Sequence, residues 1–336
     1  MSNLLKGSLN YFLIVIVFPF LLLFMTYYGF ESSYVKIKHL EQPPDFIFSS
    51  VYAYRIIPNY VSVEMNNVLH FVVENYLMDL KPILVKNGSI YYHSIFLTNT
   101  LFFAIAFIVL ERIINVVSEG SRFKSQKNLL LFIIAVFLTC MTQYVPTNGD
   151  SIALAFFLTG VYFSLKFKEQ QKFLYVILTA IVIFVSTFVR ETACLNIAFF
   201  AALFVDFKKL KTVNKILIVN VLILVFSFII PYVLLRTMIV KQETTFFEGV
   251  YLKQNFTSLF NLLGLLYGLV GVWLLNKFVD IKERRNVFFN FLIFSIPYLL
   301  MVVLVGLFWE TRLFLPILII VVIFAINSKS DLTLTI

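Results

Sequence analysis

Ten apolar runs divide the 336-residue chain, and most are long enough to cross a lipid bilayer. A transmembrane helix needs roughly 20 mostly apolar residues. The first run, 11–30, meets that length. It exceeds a signal-peptide core and lacks a small-x-small cleavage site, so it reads as a retained anchor. The others lie near 94–117, 129–146, 151–167, 173–189, 193–206, 216–238, 259–278, 287–308 and 313–327. The pieces at 193–206 and 313–327 are short, and read as half-helices or as spans whose polar ends reach into the bundle. The chain is 60% hydrophobic and 13% charged, where a soluble chain is nearer half and a quarter. That excludes a soluble enzyme, a disordered chain and a fibre. The expected fold is all-α, a polytopic membrane bundle of about ten transmembrane helices, forming a single domain over 1–336.

The net charge of +9 is not a nucleic-acid footprint, because the basic residues sit in short clusters between apolar runs. With the N-terminus inside, the inner loops hold 17 of the 27 basic residues against 7 of the 18 acidic ones. Lys6, Arg112, Arg122, Lys124, Lys127, Lys166, Lys168 and Lys172 lie there, followed by Lys208, Lys209, Lys211, Lys215, the cluster Lys277, Lys282, Arg284 and Arg285, and Lys329. The positive-inside rule then predicts both termini in the cytoplasm. The first outer loop, 31–92, is long and mixed. Within it, 61–80 interleaves Val61, Val68, Leu69, Val72 and Leu77 with Glu64, Asn66, Glu74 and Asp79, the pattern of an amphipathic helix on a membrane surface.

Charges at membrane depth are costly and mark function by default. Six stand at the outer ends of predicted spans or in the first outer loop. Asp150 closes the turn PTNGD; Arg190 and Glu191 sit in FVRETACLN; Glu310 and Arg312 sit in FWETRLFLP; Arg55 lies in YRIIP. The predicted topology puts all six on one side. On a helix, neither Arg190 and Glu191 nor Glu310 and Arg312 would face each other. Two solutions stay open: cross-pairing of Arg190 with Glu310 and Glu191 with Arg312, or an anion bound to the arginines. Arginine's planar fork matches phosphate oxygens. A nearby carboxylate can take a proton from an attacking hydroxyl. Candidate catalytic residues are therefore Asp45, Glu191 and Glu310, and candidate substrate-binding residues are Arg55, Asp150, Arg190 and Arg312. Asp150 also fits ordinary turn chemistry. His39, His70 and His93 read as interfacial, and Cys140 and Cys194 as buried thiols. No transition-metal spacing is present, so no cofactor is expected and a divalent metal is not indicated. The sequons at Asn87 and Asn255 read as accidental.

This layout resembles the GT-C superfamily of polyprenyl-linked glycosyltransferases: about ten spans, a long first outer loop with an acidic residue, and charged groups on the outer face. YRIIP and ETRLFLP are similar to Y-R-x-x-P and E-x-R-x-x-x-P patterns in bacterial membrane proteins of that type, with O-antigen and capsule polymerases as neighbours. The chain departs from the superfamily's acidic pair, since Asp45 is followed by Phe46 and Ile47. The resemblance implies sugar transfer or polymerisation from a polyprenyl-phosphate-linked donor to a glycan acceptor, at the outer face of a bacterial cytoplasmic membrane. A transporter or flippase, and a non-catalytic membrane assembly protein, are the alternatives.

Overall fold

The computed structural model describes residues 9–29, 35–49, 51–118, 123, 125–142, 149–207, 214–239 and 249–327. Among them every regular element is helical. The main helices are α1 (Leu9–Gly29), α2 (Ile56–Tyr76), α3 (Ile90–Val117), α4 (Gln126–Thr142), α5 (Asp150–Gln170), α6 (Phe173–Thr187), α7 (Cys194–Phe204), α8 (Lys215–Met238), α9 (Leu259–Asn276), α10 (Lys282–Phe294), α11 (Ile296–Val305) and α12 (Leu315–Ala325). Five of them, α1, α3, α5, α8 and α9, are long and apolar enough to cross a membrane. The pair α10–α11 makes a sixth if it counts as one bent span. Apolar helices of 10–17 residues, α4, α6, α7 and α12, complete the set. This is the build of a membrane protein. Glu31, the basic residues Lys6, Arg122, Lys124, Lys208, Lys209, Lys211 and Lys329, and positions 146–148 of the PTNGD turn lie outside the described residues.

Burial follows apolar pattern. A helix that is hydrophobic all round belongs in a core. In α12, LPILIIVVIFA, every residue from Leu315 to Ala325 is buried, with α3, α4, α9 and α10 packed around it. The other short helix, α7, is similarly enclosed by α5, α8 and α10. The spans α8 and α9 leave large apolar residues exposed instead, among them Ile218, Phe226, Phe260 and Leu269, as lipid-facing surface requires. The far end of α12 is tied down by polar groups. Arg284 is 1% exposed and donates to the carbonyls of Phe324, at 3.4 Å, and Ile326, at 2.5 Å. A cation there also meets the negative end of the helix dipole.

The bend of 50° between α10 and α11 has a local cause. Pro297 lacks an N–H and its ring crowds the carbonyl of Ile293, so the rung from 297 to 293 is lost and the helix bends there. Ser295 still donates to the Phe291 carbonyl and accepts from the Leu299 N–H, each at 2.9 Å. In the first loop, α2 begins at Ile56, earlier than the sequence pattern implied, and packs on α3. Its faces do not separate by polarity: Asn59 and Asn66 are buried while Val68, Phe71 and Glu64 are exposed. The buried asparagine is used. Asn59 donates to the carbonyls of Ile47, at 2.6 Å, and Tyr52, at 2.8 Å, which folds the preceding loop back on the helix.

Candidate functional site

The site is assembled by backbone contacts between segments far apart in sequence. Gly149 adopts φ +69°, which favours glycine, and starts α5 at Asp150. A Cβ at Gly149 would lie 2.7 Å from Pro58 Cβ and Cγ, so the proline of YRIIP seats directly on the turn before Asp150. Next to it, the Ile57 N–H donates to the Phe188 carbonyl at 3.2 Å and docks YRIIP on the hairpin that carries Arg190. Arg190 is extended, Glu191–Ala193 forms one 3₁₀ turn, and α7 follows. The second hairpin repeats that plan: Glu310, a 3₁₀ turn over Thr311–Leu313, then α12.

That second hairpin is held from behind. The Asn255 side chain donates to the carbonyls of Val303 and Gly306 and accepts from the Phe308 N–H. Asn261 accepts from the Trp309 N–H at 3.0 Å. Asn255 itself is thus a fully buried clamp. Gly264 lies under the same segment, and a Cβ there would fall 2.1 Å from the Phe308 carbonyl oxygen. Backbone cannot yield as a side chain does. Gly264→Ala is therefore expected to cost about 1–3 kcal/mol and to displace Glu310 and Arg312. A melting curve in detergent checks the first effect. A melting curve that overlays the wild type would show that the segment moves freely.

Four arginines and three carboxylates meet at this end of the bundle. Asp150 binds Arg190 directly and accepts from Arg312 Nη1 at 3.4 Å. Arg312 Nη2 also donates to Glu310 Oε2 at 2.8 Å. Glu191 accepts from Arg236 Nη2 at 3.3 Å. The Arg236 guanidinium lies 3.9 Å from the Tyr54 ring centre, and Arg55 lies 4.8 Å from that of Tyr52. Neither proposed cross-pair is formed. Glu310 and Arg312 do meet, because their backbone is not an α-helix. Arg190 and Glu191 diverge and take separate partners.

A cavity of about 990 Å³ opens over these groups. Arg55, Arg190, Glu191, Arg236, Glu310 and Arg312 line its polar side. Leu300, Met301, Leu304 and Val305 of α11 form an apolar wall. Tyr298, whose hydroxyl donates to the Leu313 carbonyl at 2.8 Å, closes the base. The four guanidiniums outnumber the three carboxylates by one. The N-termini of α5, α7 and α12 face the same region, each worth roughly half a positive charge. Burial pulls the Arg55 pKa down from its ordinary value, opposed by the Glu191 charge. Burial alone would raise that of Glu191. Arg55, a backbone N–H, Arg190 and Arg236 outweigh it and hold the carboxyl below its ordinary value. The net result is a site with an excess of positive charge.

Of the residues singled out from sequence, Arg55, Arg190, Glu191, Glu310 and Arg312 line this cavity, and Asp150 ties two of the arginines together. Asp45 does not join them; it sits on the exposed turn before Phe46–Ser49 and is not part of the lining. Arg236 was not singled out, although it stands at the end of an apolar run, the same signal that marks Arg190. Tyr52, Tyr232 and Tyr298 carried no sequence signal, since the chain has 17 tyrosines. Among the described residues, no three His, Cys, Asp or Glu side chains come together as a metal would require. Cys140 is buried and Cys194 partly so, both as free thiols. The chain matches no protein-family model, no curated protein and no solved structure.

Proposed function

We propose that this protein is a membrane glycosyltransferase or polysaccharide polymerase, taking sugar from a polyprenyl-phosphate-linked donor at the outer face of a bacterial cytoplasmic membrane. The full set of about ten spans, with both termini cytoplasmic, belongs to the same reading. The observation that carries it is the cavity that faces four arginines on one side and an apolar helix wall on the other. A lipid-linked phosphate needs both surfaces. Arginines suit the phosphate oxygens, and the apolar wall suits the chain that follows them. Arg55 and Arg236 would grip phosphate, with Arg190 and Arg312 held in place by Asp150.

The base follows from the charges around each carboxylate. Glu191 is flanked by Arg55, Arg190 and Arg236, which suppress its basicity. Glu310 is bonded to Arg312 alone among the described partners. Glu310 is therefore the better acceptor for the proton of an attacking hydroxyl, with displacement at the sugar carbon inverting its configuration. The departing lipid phosphate gains charge as the bond breaks, and fixed guanidiniums stabilise that charge.

A second reading, transport or flipping of a lipid-linked substrate, is favoured by the bent α10–α11 pair and by two short helices that begin at the site. A deletion strain separates the two. Transfer of a single sugar predicts truncated lipid-linked repeats, and polymerisation predicts complete single repeats without long chains. Neither is rescued by Arg312→Ala at matched expression. Unchanged glycan in the deletion strain would end the enzyme reading. Full-length polymer trapped on the inner face would favour flipping.

A further inference from the structure

Beside the polar cavity runs a second one of about 630 Å³, almost wholly apolar, between α7, α8 and the α10–α11 bend. We propose that it holds the hydrocarbon tail of the same lipid whose phosphate lies on the arginines. The proposal rests on the phosphate reading above. Its first support is adjacency: Pro297 and Tyr298 line both cavities, so the two meet at this pair of side chains and one amphiphile could reach from one to the other around them. The second is shape. Ala198 and Ala201 of α7 leave room that larger side chains would fill, and Val221 and Val225 of α8 face them one helical turn apart. The bend of 50° swings α11 off the line of α10 and keeps the gap open. The third is access. Ile218, Leu222 and Ile229, which also line it, are about half exposed on the outer flank of α8, so the groove opens sideways toward lipid. Among the described residues, no charged one lines it. The lipid would thus enter from the bilayer between α8 and α11, tail in the groove and head in the polar cavity.

The full chain in detergent is tested with two phosphates, short-chain citronellyl phosphate and long-chain undecaprenyl phosphate. In the wild type the long chain is expected to bind at least about ten-fold tighter, since each buried methylene adds affinity. Ala201→Leu, which fills the groove, should remove that advantage and leave the short-chain affinity within about two-fold. Val221→Phe fills it from the opposite helix and gives the same readout if Ala201→Leu does not fold. Long-chain affinity that survives both variants overturns the tail site, as does equal competition by phosphatidylglycerol vesicles, which would show an ordinary annular lipid. Short-chain binding that is indifferent to both Arg55→Ala and Arg236→Ala would instead overturn the phosphate reading, and the tail proposal would fall with it.

Discussion

Asp150→Asn is expected to destabilise the protein by about 3–5 kcal/mol, the usual cost of removing one partner from a buried ion pair. Arg190 and Arg312 are 7% and 6% exposed, and Asp150 bridges them. Asparagine keeps the shape and removes the charge. Two guanidiniums would then face each other across a neutral amide in a site that burial has already made costly for cations. The melting temperature in detergent should fall by several degrees. Inorganic pyrophosphate should restore part of the loss in this variant, because an anion can take the carboxylate's place between the two forks. A melting curve that overlays the wild type would show that the arginines do not depend on Asp150. A loss that pyrophosphate leaves untouched would mean that the site does not receive anions.

If the protein transfers sugar as proposed, with Glu310 as its base, Glu310→Gln should lower that transfer by about 10²–10⁴-fold, the range expected for a lost general base, with the fold intact. The amide is isosteric and still accepts a hydrogen bond from Arg312, so binding of the donor should change little. Glu191→Gln should act differently. It unpairs Arg236 from its carboxylate and removes a negative charge beside the phosphate, so it should tighten donor binding and change turnover less. Asp45→Asn, on its exposed turn, should leave activity within about two-fold, in the range of ordinary surface substitutions. Turnover of a polyprenyl-linked sugar in membrane vesicles, measured at matched expression, ranks the three. If Asp45→Asn proves the most damaging, the site drawn around Glu310 is misplaced.

The membrane character was legible because it depends on runs of about 20 apolar residues, a local property of the chain. The charged residues at the ends of those runs were legible for the same reason. An isolated arginine in FVRETACLN or ETRLFLP stands out against apolar neighbours whatever the rest of the molecule does. Arg236 carries the same signal, but in sequence YVLLRTM reads simply as the end of a span. The pairing was not legible. On helical geometry Glu310 and Arg312 point apart, and only the 3₁₀ turn over Thr311–Leu313 brings them together. Nor could spacing reveal that Asp150 would join both hairpins, since 162 residues separate it from Arg312.

Sequence alone therefore determined the solvent: long apolar stretches must bury their backbone polar groups in helices, and a bilayer is where such helices are stable. It also determined which rare charges would be costly to place. Tertiary structure decided what those charges do. The seat of Pro58 on Gly149, the bond from Ile57 to Phe188 and the clamp of Asn255 on 303–308 are contacts between distant segments. Each depends on close packing between helices, which no local pattern encodes. It is that packing which gathers four arginines around one cavity and sets an apolar groove beside it.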